Sequence, residues 1–279
     1  MKTMRYRDFL INELGSVVSS DISLPSGFHL VGHVALVHLN LNAMKYASAI
    51  GEKTLEYDSR ILSVAVRTGP TRGSTRLPSY ELVAGCSNTI TTHIEDGVIF
   101  RLDPLRLTFS GGNKRERMRL GSLVKNGETV VDMFSCVGQF ALPIAKSVDV
   151  EITAIEINPE AYQFLLENII LNGLADKVKT VLGDCREVHP KGVADRVIMG
   201  YLHDTVEYLS YALETLTEKG GVIHMHMNTP KHRLKDVIGD IDRICLNHGY
   251  SSSVSVYHVK NYSPGIGHYV FDVNTSSKA

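Results

Sequence analysis

The chain has 279 residues and a net charge of −1, and 43% of its residues are hydrophobic. This composition suits one large domain or two modest ones, and it excludes a disordered or collagen-like chain. There is no apolar run of about 18 residues, and the charged N-terminal segment does not resemble a secretory signal, so we expect a cytoplasmic protein without a membrane span.

The N-terminal part of the chain lacks a regular alternation of strands and helices. Segments 31–41 and 89–102 have the pattern of strands, and the second predicts a hairpin that turns at Asp96 and Gly97. Residues 72–78 are polar and include glycine and proline, which predicts a loop. We therefore expect a small α+β domain over residues 1–102, followed by a connector at 103–125.

The connector carries the densest basic cluster of the chain. Lys114, Arg115 and Arg119 lie in a short stretch that also contains Arg117 and one acid, Glu116. Because the sequence pI is about 6.9, a nucleic acid would have to be bound by such a local patch rather than by the overall charge. Lys114, Arg115 and Arg119 are therefore candidates for phosphate contacts. The alternative is the solvated face of an exposed helix.

Residues 126–279 alternate apolar strand segments with amphipathic helical segments. The predicted strands are 129–134, 151–157, 177–182, 195–199 and 221–227, and the predicted helices are 138–147, 160–171, 204–217 and 231–248. Such βαβ repetition predicts a mostly parallel sheet. The final strands, 251–259 and 269–273, are joined by a segment without room for a helix, so the sheet should end in an antiparallel hairpin. This order is similar to the α/β, Rossmann-like class I methyltransferase fold.

Acidic residues follow the predicted strands at the edge where open α/β sheets bind ligands. Glu156 ends the second strand, where a carboxylate can accept both hydroxyls of a ribose. Asp184 follows the third strand and can accept from an adenine amino group, while Cys185 donates its backbone N–H. Each acid alone is more often a helix cap, but the set on consecutive strands favours bound adenosine. The loop after Asp132 lacks GxGxxG, which favours S-adenosylmethionine over NAD.

Several segments carry a resemblance to a known superfamily. They are FSGGNKRER at 109–117, VDMF at 131–134, AIE at 154–156, EN at 167–168 with Asn172, and ADRVIMGY at 194–201. Over most of the chain they resemble the tRNA guanine-37 N1-methyltransferase and wyosine-modifying superfamily. The resemblance implies that Ser110 and Arg117 contact S-adenosylmethionine, and an arginine suits its carboxylate.

The loop after the fourth predicted strand separates two chemistries in that superfamily. The methyltransferase branch has Asn-(Leu/Pro)-Pro there, whereas this chain has Met199, Gly200 and Tyr201. The chain therefore resembles the aminocarboxypropyltransferase branch, a transferase of EC class 2.5.1 in wyosine biosynthesis. That branch moves the 3-amino-3-carboxypropyl group of S-adenosylmethionine to C7 of 4-demethylwyosine at position 37 of tRNA-Phe and releases methylthioadenosine. The implied partner is the anticodon region of tRNA-Phe.

Other functions stay open at this point. They are a guanine-37 N1-methyltransferase with an unusual loop, an adenosyl-binding tRNA protein without transfer activity, and a small-molecule methyltransferase. Cys136 supports the second, because it replaces a loop glycine of the superfamily and its Cβ restricts positive φ. No Cys–His signature supports a nucleophilic role for Cys136 or Cys185. His224 and His226 share a strand face, but no third ligand is evident, so we expect no metal. The pattern identifies no catalytic residue.

Overall fold

The structure, a computed structural model, describes residues 4–73 and 75–277. The chain forms two compact units, Met1–Gly111 and Gly112–Ala279. The boundary falls inside the predicted connector at 103–125, and the second half of that connector becomes the first helix of the second unit. Within the described ranges, no helix is both long enough and apolar enough to cross a membrane.

The first unit combines two helices with a small sheet and a separate hairpin. Its elements are α1 (Tyr6–Leu14), β1 (Phe28–Val31), β2 (Val34–Val37), α2 (Ala47–Tyr57), β3 (Ser63–Arg72), β4 (Leu77–Gly85), β5 (Thr91–Glu95) and β6 (Val98–Leu102). Strands β1 to β4 lie in chain order, and β2 and β3 are the parallel pair. Leu10, Ile50 and Val64 are fully buried in the core between the helices and this sheet.

The residues at the turns account for which strand and loop predictions in the first unit are correct and which are not. The hairpin at Asp96 and Gly97 is confirmed, and both residues have positive φ, 49° and 79°. The strand predicted at 31–41 is confirmed only in part, because β2 lies within it but Val31 belongs to β1, and the two strands form a hairpin that turns at Gly32 with φ 56°. A Cβ at Gly32 would lie 1.9 Å from the hydroxyl of Thr91, so only glycine fits. The predicted loop at 72–78 connects β3 and β4, and residue 74 lies outside the described residues.

The second unit is built on a seven-stranded sheet of order β12-β13-β11-β10-β7-β8-β9. Its elements are α3 (Lys114–Leu123), β7 (Thr129–Asp132), α4 (Ala141–Ser147), β8 (Glu151–Glu156), α5 (Pro159–Leu171), β9 (Val178–Leu182), α6 (Cys185–Val188), β10 (Arg196–Met199), α7 (Leu209–Thr215), β11 (Gly220–Pro230), α8 (Leu234–Asn247), β12 (Tyr250–Ser263) and β13 (Ile266–Ser277). Strands β7 to β11 are parallel, whereas β13 runs antiparallel to β11 and β12.

The predicted sheet of the second unit is confirmed, with longer final strands than expected. The hairpin β12–β13 extends through the predicted linker and turns at Gly265, where φ is 77°. Val130 and Val131 of β7 are both fully buried, as expected for a parallel strand covered on both faces. Burying each such side chain stabilises the fold by about 1.5–3 kcal/mol.

Local capping places the loops at one edge of this sheet. Asn158 caps α5, because its side chain accepts a hydrogen bond from the backbone N–H of Glu160 at 3.0 Å. Pro159 then occupies the first helical position, where the missing N–H has no cost. The chain therefore turns directly from the end of β8 into α5, and Glu156 stays at the sheet edge.

Candidate active site

A carboxylate on β8 holds the loop that follows β7. Glu156 is buried; its Oε2 accepts from the backbone N–H of Cys136 at 2.6 Å and its Oε1 from that of Asn158 at 2.7 Å. Burial raises the pKa of Glu156, against the opposing effect of these backbone donors. A carboxylate oxygen has more than one acceptor site, so both oxygens can still accept from ribose hydroxyls. The backbone N–H groups of Cys136 and Asn158 therefore hold the carboxylate of Glu156, the residue predicted to bind ribose, in one orientation.

Asp132, at the end of β7, is a second buried acid that sequence reasoning missed. Its Oδ1 accepts from the backbone N–H of Phe134 at 3.2 Å, while its Oδ2 has no hydrogen-bond partner among the described residues. Burial, with the nearby charge of Glu156, raises the pKa of Asp132 to about 7. In the sequence, a single acid at the end of an apolar strand was the feature that could have indicated this site residue. Asp132 can thus hold a proton near neutral pH at the start of this loop.

The loop residue Cys136 has the backbone conformation that sequence analysis considered restrictive. Its φ is 49°, in the left-handed region that costs a non-glycine residue about 1–2 kcal/mol. Burial and the charge of Glu156 raise the pKa of the Cys136 thiol to about 12, and burial raises that of Cys185 to about 12. Both thiols are therefore protonated at neutral pH, which disfavours a nucleophilic role for either.

Asp184 and Cys185 begin the short helix α6. The carboxylate of Asp184 accepts from the backbone N–H of Arg186 at 2.9 Å and also pairs with the Arg186 guanidinium, which lowers the pKa of Asp184. The structure thus shows the helix cap that was the simpler interpretation of this acid. The backbone N–H of Cys185 belongs to the first helical residue, where the helix supplies no acceptor. Adenine contacts by these two residues stay a prediction.

An aromatic cluster joins the loops after β7 and β10. The rings of Phe134 and Tyr201 are stacked with centroids 5.2 Å apart, and Tyr208 meets both rings edge-on. A Cβ at Gly200 would lie 3.0 Å from the ring of Phe140, so the ring would have to shift slightly to admit a larger residue. Gly200 and Tyr201 therefore pack the loop after β10 against the loop after β7.

The basic cluster of α3 divides into exposed and buried members. Arg119 donates to Glu116 at 2.7 and 2.8 Å and to Asp272 at 2.6 and 3.1 Å. Two carboxylates already hold the Arg119 guanidinium, which disfavours a phosphate contact by this residue. Lys114 and Arg115 are exposed and remain candidates.

The two residues that the resemblance predicts to contact S-adenosylmethionine, Ser110 and Arg117, belong to different units. Arg117 lies on α3 in the second unit and is 1% exposed, whereas Ser110 belongs to the first unit. Both roles stay predictions.

His224 belongs to a buried hydrogen-bonded network rather than to a metal site. Its Nδ1 lies 2.6 Å from Asp272 and its Nε2 lies 2.7 Å from Arg196, which in turn pairs with Glu128 at 2.7 Å. Arginine can only donate, so Nε2 accepts and Nδ1 carries the proton given to Asp272. Burial also lowers the pKa of His224. Over 4–73 and 75–277 there is no group of three or more histidine, cysteine or acidic side chains placed to hold a metal.

The parallel sheet with its antiparallel end and the acid at the tip of β8 define a class I methyltransferase-type domain. Residues 91–253 match the TRM5/TYW2 methyltransferase domain and residues 10–89 match the TYW2 N-terminal domain, so the chain belongs to the TRM5/TYW2 family. Over 273 residues the chain is 34% identical to the tRNA(Phe) (4-demethylwyosine(37)-C(7)) aminocarboxypropyltransferase of Pyrococcus horikoshii, covering 96% of this chain and 95% of that protein.

Solved structures extend the comparison. The structure of P. horikoshii TYW2 in complex with MeSAdo has a TM-score of 0.84 and 30% identity, covering 98% of this chain and 100% of that one. The complex of aTrm5 with tRNALeu has a TM-score of 0.84 and 28% identity, covering 98% of this chain and 79% of that one. The family and the fold expected from the sequence are thereby confirmed.

Proposed function

We propose that the chain is a tRNA-modifying transferase that acts in wyosine biosynthesis. It moves the 3-amino-3-carboxypropyl group of S-adenosylmethionine to C7 of 4-demethylwyosine at position 37 of tRNA-Phe and releases methylthioadenosine. The observation that carries this proposal is the match to the P. horikoshii aminocarboxypropyltransferase, which extends over nearly all of both chains. Met199, Gly200 and Tyr201 support it, since they stand where the methyltransferase branch has Asn-(Leu/Pro)-Pro.

S-adenosylmethionine is the group donor in this proposal. Glu156 would accept from its ribose hydroxyls, Asp184 and Cys185 would contact its adenine, and Ser110 and Arg117 would contact the remainder of the molecule. The rigid placement of both Glu156 oxygens supports this fit, because the carboxylate is oriented before the donor arrives. The solved complexes of TYW2 proteins with AdoMet and MeSAdo support the same donor.

The choice of transferred group follows from position. A sulfonium has three electrophilic carbons, and the pocket determines which one faces the nucleophile. The tricyclic base offers an electron-rich carbon, so the attack itself needs little base catalysis. The protonated thiols of Cys136 and Cys185 agree with direct transfer, without a covalent enzyme intermediate.

The proposed acceptor is a tRNA, and the chain is proposed to contact the anticodon region of tRNA-Phe. The reaction is proposed to take place in the cytoplasm. The solved complex of aTrm5 with tRNALeu supports tRNA binding by this family. The exposed side chains of Lys114 and Arg115 are suited to phosphate contacts, which weaken as salt is added. These two residues are therefore the proposed phosphate ligands.

Two differently labelled donors test the function. S-adenosylmethionine labelled on the methyl group or on the carboxyl carbon is incubated with tRNA-Phe that carries 4-demethylwyosine or unmodified G37. We expect carboxyl label in the tricyclic tRNA together with released methylthioadenosine. Methyl label in G37 would instead establish a methyltransferase, and no transfer from either donor would leave an adenosyl-binding protein. Glu156→Gln is the matched variant and should reduce donor binding.

A further inference from the structure

Three polar side chains form a row on one face of the sheet, at the carboxyl end of β11. His226 and Asn228 alternate along β11, and Asn228 pairs in register with His268 of β13. Both histidines are fully buried. The backbone N–H of Asn228 donates to the carbonyl of Leu202 at 3.0 Å. This polar row (His226, Asn228 and His268) therefore adjoins the loop after β10, which separates the two chemistries of the superfamily.

The polar row has unused hydrogen-bonding capacity. Within the part of the chain that the structure describes, Nε2 of His226, Nδ1 of His268 and both amide atoms of Asn228 are buried without a hydrogen-bond partner. Each such group costs about 1–3 kcal/mol when left unpaired. Because buried polar atoms are nearly always satisfied, a set of four on one face indicates a place that a polar ligand completes.

The two histidines form a pair that can pass a proton. Nδ1 of His226 lies 3.0 Å from Nε2 of His268, so one ring donates to the other. A neutral imidazole has one N–H and one bare nitrogen. Whichever ring donates across the contact, the two outer nitrogens of the pair are then one donor and one acceptor. A proton accepted at one outer nitrogen, followed by transfer across the contact, releases a proton from the other.

The surroundings keep this pair neutral. Burial lowers the pKa of His226 well below its ordinary value, and burial with the charge of Lys260 lowers that of His268 to about 4. The titratable and charged groups around the pair are Glu116 and Arg119 of α3, His224 of β11, His258 and Lys260 of β12, and Asp272 of β13. The nearest carboxylate oxygen is Oε1 of Glu116, 4.0 Å from Nε2 of His226. A proton taken up by the pair is therefore passed on rather than retained.

We propose that the polar row receives the acceptor base, that Asn228 hydrogen-bonds to the edge of the base, and that the histidine pair takes up the ring proton displaced by the transfer. This inference rests on the proposed function. C7 forms a bond to the transferred carbon while the sulfur–carbon bond breaks and leaves its electron pair on sulfur. The C7–H electron pair then returns to the ring, and the proton passes to the bare outer nitrogen of the pair. The ring is a cation before this loss, so a weakly basic imidazole can accept its proton.

Deuterium at C7 of the acceptor tests the histidine pair. His226→Gln and His268→Gln are compared with the wild type in single-turnover reactions on 4-demethylwyosine tRNA carrying protium or deuterium at C7. We expect each variant to be slowed at least about tenfold, with a deuterium effect that the wild type lacks, because proton removal becomes rate-limiting. Asn228→Leu should raise the KM for the tRNA about tenfold without adding a deuterium effect.

The control is His248→Gln at the exposed end of α8, which should behave as the wild type. Donor affinity and far-UV circular dichroism report whether the variants still fold and bind S-adenosylmethionine. Histidine variants that react at the wild-type rate, or that are slowed without a deuterium effect, would overturn the proton-transfer role. Absence of aminocarboxypropyl transfer by the wild type would instead overturn the proposed function, so the two failures are distinguishable.

Discussion

Removing the negative charge of Asp272 tests the buried network that ties α3 to β11 and β13. Asp272 accepts from Arg119 at 2.6 and 3.1 Å and lies 2.6 Å from His224. Burial alone would raise the pKa of Asp272, but the hydrogen bonds from His224 and Arg119 outweigh it and lower the pKa to about 2. Against an ordinary value of 3.8, this corresponds to about 2 kcal/mol of stability. Removing one member of a buried ion pair costs about 3–5 kcal/mol.

We therefore expect Asp272→Asn to lower the free energy of unfolding of the second unit by about 2–3 kcal/mol at pH 7. This loss is smaller than that of a typical buried ion pair, because Glu116 continues to pair with Arg119. A carboxylate whose pKa is depressed by folding stabilises the protein above its unfolded pKa and loses that effect as the pH falls through its folded pKa. The difference between wild type and variant should thus be constant from pH 7 to about 5 and shrink between about pH 4 and 2.

The chain has no tryptophan, so unfolding is best followed by hydrogen exchange of peptides from β11 and β13 in a urea series. The matched control is Asp240→Asn, which removes an exposed pair with Arg243 at 3.0 Å and should cost less than about 0.5 kcal/mol. A loss below about 0.5 kcal/mol for Asp272→Asn at pH 7, or a difference that is unchanged between pH 5 and 2, would refute the reasoning.

Further predictions concern the donor and tRNA sites. Glu156→Gln should weaken S-adenosylmethionine binding by about 10- to 100-fold in calorimetry, because hydrogen bonds to a charged group contribute about 1.5–3 kcal/mol; unchanged affinity would remove Glu156 from the site. Cys136→Val should lower the free energy of unfolding by about 1–2 kcal/mol, since a β-branched residue fits poorly at φ 49°, whereas Cys136→Gly should be tolerated. Equal melting temperatures for the two variants would contradict this. Replacing Lys114 and Arg115 by alanine should lower tRNA affinity and reduce the slope of log affinity against log salt by about 1–2; a flat salt dependence of the wild type would exclude both as phosphate ligands.

The fold of the second unit is predictable because its strands are apolar runs separated by helical segments. The tip of β8 is equally predictable, since Glu156 is the last residue of that strand. The hairpin at Gly32 was missed because the apolar residues on both sides favour one continuous strand, although a glycine at the first central position is typical of a two-residue turn. The requirement for glycine here also comes from Thr91, which lies far along the chain and would clash with a Cβ.

Long-range pairing explains what sequence reasoning missed at the site. One partner of Arg119 is Asp272, 153 residues away, so the local charge pattern of α3 gives no sign that a carboxylate of β13 holds this arginine. His226 and His268 are 42 residues apart and meet through the register of two antiparallel strands. The raised pKa of Asp132 likewise depends on burial by the complete sheet. Local patterns predict elements and their ends, whereas these interactions depend on which strands become neighbours.

The strand order also separates the proposed donor half of the site from the proposed acceptor half. Glu156 lies on β8 and the polar row on β11 and β13, with β7 and β10 between β8 and β11. Three strand spacings of about 4.8 Å place β8 about 14 Å from β11, beyond the range over which substitutions usually couple. Glu156→Gln and His226→Gln should therefore act independently, the first on donor affinity and the second on proton removal. In the double variant, the two changes in activation free energy, derived from kcat/KM, should add to within about 0.5 kcal/mol. A larger coupling energy would mean that one residue serves both halves.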